Sequence, residues 1–418
     1  MHRHGFFGTT TLIAIAALVV AGSFAGPLAA EPGSDDWPQY RGPQRDGVSP
    51  ETGLLDQWPE AGPDLVWKVP IGNGFSAVSV AQGRVITMLA DGGTEYTAAF
   101  DVETGRELWR AEMGPAFMGQ FGNGPRSTPT VAGDRVFALG SAGLLAALAA
   151  EDGTVKWTVS LSRDLGAIRP QWGFSTSPLV DGDLVVTEAG SGAGKQVAAF
   201  DRQTGELRWT ALDGNAGYSS PLALDVHGVH QLVFVTDDQV AGLSPKGETL
   251  WTHEFQGGIP MPVFVAPDRV FVSRLGDAGS VMLRIKPDGA EEVWSSNRMR
   301  NHFNTSVAFG DHIYGFDNTT FKCISADTGE QTWAKRGFGK GSLIVADDHL
   351  FILTERGQLV LAEADPERYT ETGSVQALDG TTWTSPVLAG GRVYLRGMDE
   401  MLSFDTRISV TDNPRPRG

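Results

Sequence analysis

One cysteine, Cys323, is present in 418 residues, so no internal disulfide can form even in an oxidising compartment. Apolar runs are short. The strongest, "LIAIAALVVAG" at residues 12–22, falls below the roughly 20 residues that a membrane-spanning helix needs. Basic residues are scarce: 33 Lys and Arg against 50 Asp and Glu give a formal net charge of −17. Such a surface argues against nucleic acid, whose phosphates reward Lys and Arg, and against anionic lipid. The chain also has no Cys-x-x-Cys-His haem signature, no pair of adjacent cysteines and no nucleophile elbow. By length it could hold two or three domains, or one large all-β domain.

The first residues read as an export signal. His2, Arg3 and His4 precede the apolar run, and small residues follow through Ala30. The expected organisation is a signal peptide at 1–30, an N-terminal extended segment at 31–62, a repeat domain at 63–408 and a tail at 409–418. No cysteine follows the apolar run, which excludes a lipid anchor there. A monomeric periplasmic or secreted protein, with no membrane span after cleavage, is expected.

Self-similarity then dominates the chain. Trp67, Trp109, Trp157, Trp209, Trp251, Trp294 and Trp333 are spaced by 39 to 52 residues, and five of them close a Gly-x-x-x-Trp pattern, as at Gly105/Trp109 and Gly329/Trp333. Between tryptophans the grammar is that of short strands. In "STPTVAGDRVFALG" an alternating strand meets a turn at Gly133 and Asp134 and a second strand; "LLAALA" and "VKWTV" supply a third and a fourth. Equivalent first turns recur eight times. A period of 40 to 50 residues with four strands per unit predicts an all-β fold, an eight-bladed β-propeller of four-stranded antiparallel blades. The last unit lacks a Trp strand, while "DLVWKVP" at 64–70 is a Trp strand without a unit before it. Joining them would close the ring and leave no open sheet edge.

Ala-x-Asp-x-x-Thr-Gly-x-x-x-Trp, matched at 99–109 and 199–209, resembles the tryptophan-docking motif of the quinoprotein (PQQ) repeat propellers, a family holding quinone-dependent alcohol dehydrogenases and non-enzymatic BamB-type outer-membrane assembly factors. "DWPQYRGPQRDG" at 36–47 and "EADPERYTETG" at 363–373 resemble segments of exported PQQ-like propellers. The seven tryptophans are therefore structural docking residues. Cys323 falls on the small position held by Ala99, Ala147 and Ala199, and is expected to be a buried filler.

A feature repeated around a ring is architecture, so function is sought where the repeats differ. The connectors leading into each first strand differ most, and in a propeller they crowd one mouth of the central channel. They offer Phe75, Gln120, Arg126, Gln171, Trp172, Phe174, Tyr218, Arg298, Arg300, His302, Asn304, Lys340 and Trp383 as a ligand- or partner-binding surface. Four cations beside aromatic faces would suit a planar or anionic ligand. The same side chains could simply plug the channel. "AGSGAGKQ" at 189–196 fails as a phosphate loop, since no helix follows, and His227 and His230 lack further ligands for a metal.

Two functions follow. A binding or scaffolding protein would present its connector face to an envelope or extracellular protein, a peptide or a polysaccharide, with no catalytic residue, cofactor or metal. A dehydrogenase would hold PQQ and calcium over the mouth. The resemblance implies adjacent cysteines beside the quinone in the enzymes, which one Cys cannot supply.

Overall fold

The computed structural model describes residues 1, 2, 35–190 and 192–408; the expected signal peptide beyond its first two residues and the expected tail at 409–418 lie outside them. Eight four-stranded antiparallel sheets follow one another. The first comprises Ser79–Ala81, Arg84–Asp91, Thr94–Asp101 and Glu107–Pro115, and the seventh Ser342–Ala346, His349–Leu353, Gln358–Glu363 and Glu371–Gln376. In the eighth, Val387–Ala389, Arg392–Arg396 and Glu400–Asp405 are completed by Asp64–Pro70, which pairs with Glu400–Asp405. The ring is thus closed by one strand from the N-terminal side and three from the C-terminal side, as the orphan Trp strand predicted. Each innermost strand is short, and the middle strands are buried on both faces between neighbouring blades.

The docking motif works between blades rather than within one. Trp109 Nε1 donates to the Ala150 carbonyl of the second blade at 3.1 Å, and a Cβ on Gly153 would lie 2.5 Å from the Trp109 ring. Gly153 has φ +74°, so the turn needs glycine for its backbone as well as for the indole above it. Trp67, Trp157, Trp209 and Trp294 repeat this arrangement against Gly105, Gly205, Gly247 and Gly329. The glycine and the tryptophan of one motif therefore belong to two different joints. Trp333 bonds the Asp365 carbonyl at 2.9 Å and packs on Tyr369. Trp251 departs from the pattern: its Nε1 turns to Gln231 Oε1 of its own blade at 2.6 Å, over Gly242. Cys323 is fully buried opposite Trp333, in the register that Ala99 holds opposite Trp109. Burial pushes its thiol up to about 11.

The eighth joint has no tryptophan strand to supply it. Gly373 stands where the seventh blade would carry one, and the turn it would dock on is the open seam between Asp405 and Asp64. Trp58 of the N-terminal segment fills the place: a Cβ on Gly373 would lie 2.6 Å from Trp58 Cβ, and the indole packs against Phe351.

Upstream, the same segment runs through the axis of the ring. Trp37 bridges to Val80 in the first blade, and the Val131 amide of the second donates to the Pro38 carbonyl. Arg45 donates to the carbonyls of Ser177 and Pro178 beside the third blade; Arg41 donates to those of Thr305 and Ser306 beside the sixth, and Val48 bridges to Val345 in the seventh. Both guanidiniums are buried, and burial pushes Arg45 down to about 9. Residues expected only to be extended thus form the partition of the channel.

Candidate functional site

The partition leaves a blind cavity of about 390 Å³ at the connector mouth. Tyr40, from the N-terminal segment, contributes to its lining. A second cavity, about 590 Å³, opens on the other side between that segment and the first hairpins of the second to fourth blades.

Eight of the thirteen side chains expected at the mouth line the connector cavity: Phe75, Arg126, Trp172, Tyr218, His302, Asn304, Lys340 and Trp383. One wall is a run of rings. Phe75 stacks on Trp383 with centroids 5.3 Å apart, Trp383 meets Phe303 at 4.6 Å, and Phe303 stacks on His302 at 3.8 Å. Trp383 is fixed by its Nε1 donating to Glu355 Oε1 at 3.0 Å, while Glu355 Oε2 accepts from the Lys340 amide at 3.2 Å. The Lys340 ammonium lies 4.9 Å from the Phe303 centroid. Across the mouth, Phe121 tilts against Trp172 at 5.3 Å, and the Trp172 amide donates to the Tyr218 hydroxyl at 3.4 Å. Asn304 Nδ2 donates to the Gly341 carbonyl, so it ties two connectors together.

Arg126 is held rather than free. Its guanidinium donates to the carbonyls of Gly122 and Gly124 and lies over Phe117 and Phe75, and burial holds it below the usual arginine range. His302 is pushed down to about 4, first by burial and then by the charge of Lys340, so its imidazole is neutral at physiological pH. Two polar atoms at this cavity have no hydrogen-bond partner among the described residues: His302 Nδ1, and Oγ of the 6% exposed Ser385.

Five expected side chains lie elsewhere. Arg298 pairs with Glu330 at 3.0 Å and Arg300 with Asp317 at 2.7 Å, both away from the mouth. Asp317 also holds Lys322, so acids of the sixth blade account for both arginines. The convergence of four cations on one small anion is therefore corrected to two, Arg126 and Lys340. Phe174 is buried against Gly143 as core, and Gln120 and Gln171 are exposed outside the lining. Conversely, Phe121, Phe303 and Ser385 line the cavity without having been singled out, although all three lie inside connectors already marked as variable.

Elsewhere, His227 Nε2 meets the Ile285 carbonyl, while His230 bridges Asp181 and Asp225, each at 2.9 Å; the two histidines serve separate contacts. The 189–196 segment joins two strands of the third blade. Among the described residues no three His, Cys, Asp or Glu side chains come together to hold a metal, and no carboxylate lines the connector cavity.

Eight four-stranded blades with inter-blade tryptophan docking define a PQQ-repeat β-propeller. Within that class the chain belongs to the family described as outer membrane protein assembly factor BamB, whose model matches residues 93–335 and 317–409. It is 24% identical over 355 residues to the outer membrane protein assembly factor BamB of Shewanella oneidensis, covering 82% of this chain and 79% of that protein. The crystal structure of BamB from Moraxella catarrhalis is similar at a TM-score of 0.58 and 15% identity, over 84% of this chain and 99% of that one. The quinohemoprotein alcohol dehydrogenase of Comamonas testosteroni is similar at a TM-score of 0.62 and 11% identity, over 90% and 81%. These structural likenesses establish the fold.

Proposed function

We propose that the protein is a non-catalytic scaffold of the bacterial envelope, exported to the periplasm, which holds a protein partner on its connector face. The observation that carries this reading is the exposure of large apolar side chains on two consecutive connectors. Met118, Phe121 and Ile168 are 69%, 53% and 67% exposed, and Phe121 leans on Trp172. Leu65, Val155 and Leu207, also well exposed, lie on outermost strands of separate blades. A rim of large apolar side chains around a concave aromatic site is the anatomy of a protein-binding surface. The BamB name of the family and of its relatives supports an outer-membrane assembly role.

Photocrosslinking tests the assignment. A benzoyl-phenylalanine at position 121 or 168 is expected to capture one discrete envelope protein, and one at position 108, on an outermost strand, to capture none. Equal capture from position 108, or none from the connectors, overturns the reading. Titration with PQQ and calcium is expected to give no heat; tight one-to-one, calcium-dependent binding would favour the dehydrogenase instead.

A further inference from the structure

The rim accounts for where a partner lands, but not for the cavity inside it. Three features there are unspent. A continuous wall of rings presents π faces. Lys340 puts an ammonium beside that wall, paired with no carboxylate among the described residues. Ser385 Oγ and His302 Nδ1 lie buried behind the lining with no hydrogen-bond partner among the described residues. In a chain with 50 acidic and 33 basic residues, a lining with two cations and no carboxylate favours negative charge even with Glu355 behind it, because both Glu355 oxygens already accept from Trp383 and the Lys340 amide.

Resting on the docking reading above, the geometry points to an acidic, aromatic peptide segment of the partner as the occupant: an aromatic ring against Trp383 and Phe303, with a neighbouring carboxylate on Lys340. A chain rather than a free small molecule is favoured by continuity. Phe121 lines the cavity, packs on Trp172 and is itself exposed at the mouth, so an occupant seated inside leads directly out along the connectors. The ring supplies area with little entropy to lose, and the carboxylate gives direction through a charge-assisted bond. Lys340 is the residue that reads charge, because Arg126 already spends donors on Gly122 and Gly124.

The test uses the full chain and a fluorescein-labelled peptide alternating Phe and Glu, read by anisotropy, against peptides with Lys for Glu or Ala for Phe. The Phe/Glu peptide is expected to bind at least about tenfold more tightly than either control, with affinity falling as salt rises. Lys340→Gln is expected to cost about tenfold, with an unchanged circular dichroism spectrum. Equal binding of the Phe/Lys peptide overturns the proposal, as does displacement of the peptide by free PQQ at lower concentration. Absence of peptide binding while position 121 still crosslinks its partner defeats the cavity proposal and leaves the docking reading standing; loss of both defeats both.

Discussion

At the scale of single residues, the half-buried His230 and the buried Glu188 make opposite pH signatures. His230 is raised to about 9, first by its hydrogen bond to Asp181 and then, against some desolvation, by Asp225. A histidine held above its unfolded value near 6.5 contributes stability that is fully present below that value and is lost as pH rises through about 9. His230→Gln should therefore cost stability at pH 6, on the order of 1 kcal/mol once solvent screening of the half-exposed pair is allowed for, and little at pH 9.5, in urea melts run across that range. Glu188 is pushed up to about 8 by burial, despite accepting the Gly217 amide. Above about pH 4.5 the unfolded carboxyl loses its proton while the folded one keeps it, so this group destabilises progressively as pH rises toward 8. Glu188→Gln should gain stability relative to the native chain between pH 4.5 and 8, measured by the same melts. A constant difference across that window would show that Glu188 ionises normally in place.

At the scale of elements, the unit of stability is the contact between consecutive blades. Trp109→Ala removes an indole that the second blade also uses, and should cost about 3–5 kcal/mol, with faster amide exchange in the first and second blades together. Trp251 bonds within its own blade, so Trp251→Ala should raise exchange chiefly in the fourth. Trp58→Ala should cost as much as a docking tryptophan, although it precedes the first strand, because it fills the joint over Gly373. Blades and joints were legible because strand alternation, turn glycines and a recurring Trp repeat at one period, and each copy checks the others. Trp58 was not, since it lies outside the repeat and matters only where a repeat feature is missing. Connectors were legible as a group from their variability, but side-chain direction within them was not. Phe174 and Trp172 are two residues apart, yet one is core and the other lines the cavity. Arg298 and Arg300 are turned aside by Glu330 and Asp317, whose proximity follows from strand pairing rather than from spacing in the chain.

At the scale of the whole molecule, a propeller is a ring of similar sheets with a weakness at its axis and another at its seam, and one irregular stretch serves both. Trp58 and the strand Asp64–Pro70 close the seam, while Arg41 and Arg45 reach carbonyls beside blades on different sides of the channel. A fully buried guanidinium is costly to desolvate, so its value lies in the acceptors it satisfies at once: Arg41 takes the carbonyls of Thr305, Ser306 and Asp46. Truncating it strands those acceptors, and Arg41→Ala should lose about 2–4 kcal/mol. Coupling is the sharper consequence. If the segment ties the sixth blade to the third through the axis, Arg41→Ala should speed amide exchange not only at Ser306 but also around Ser177, whose contact is with Arg45. Exchange rising at Ser306 alone would mean that each arginine braces only its own blade. The connector cavity would then owe its closed end to local packing of Tyr40 rather than to a segment anchored on both sides of the ring.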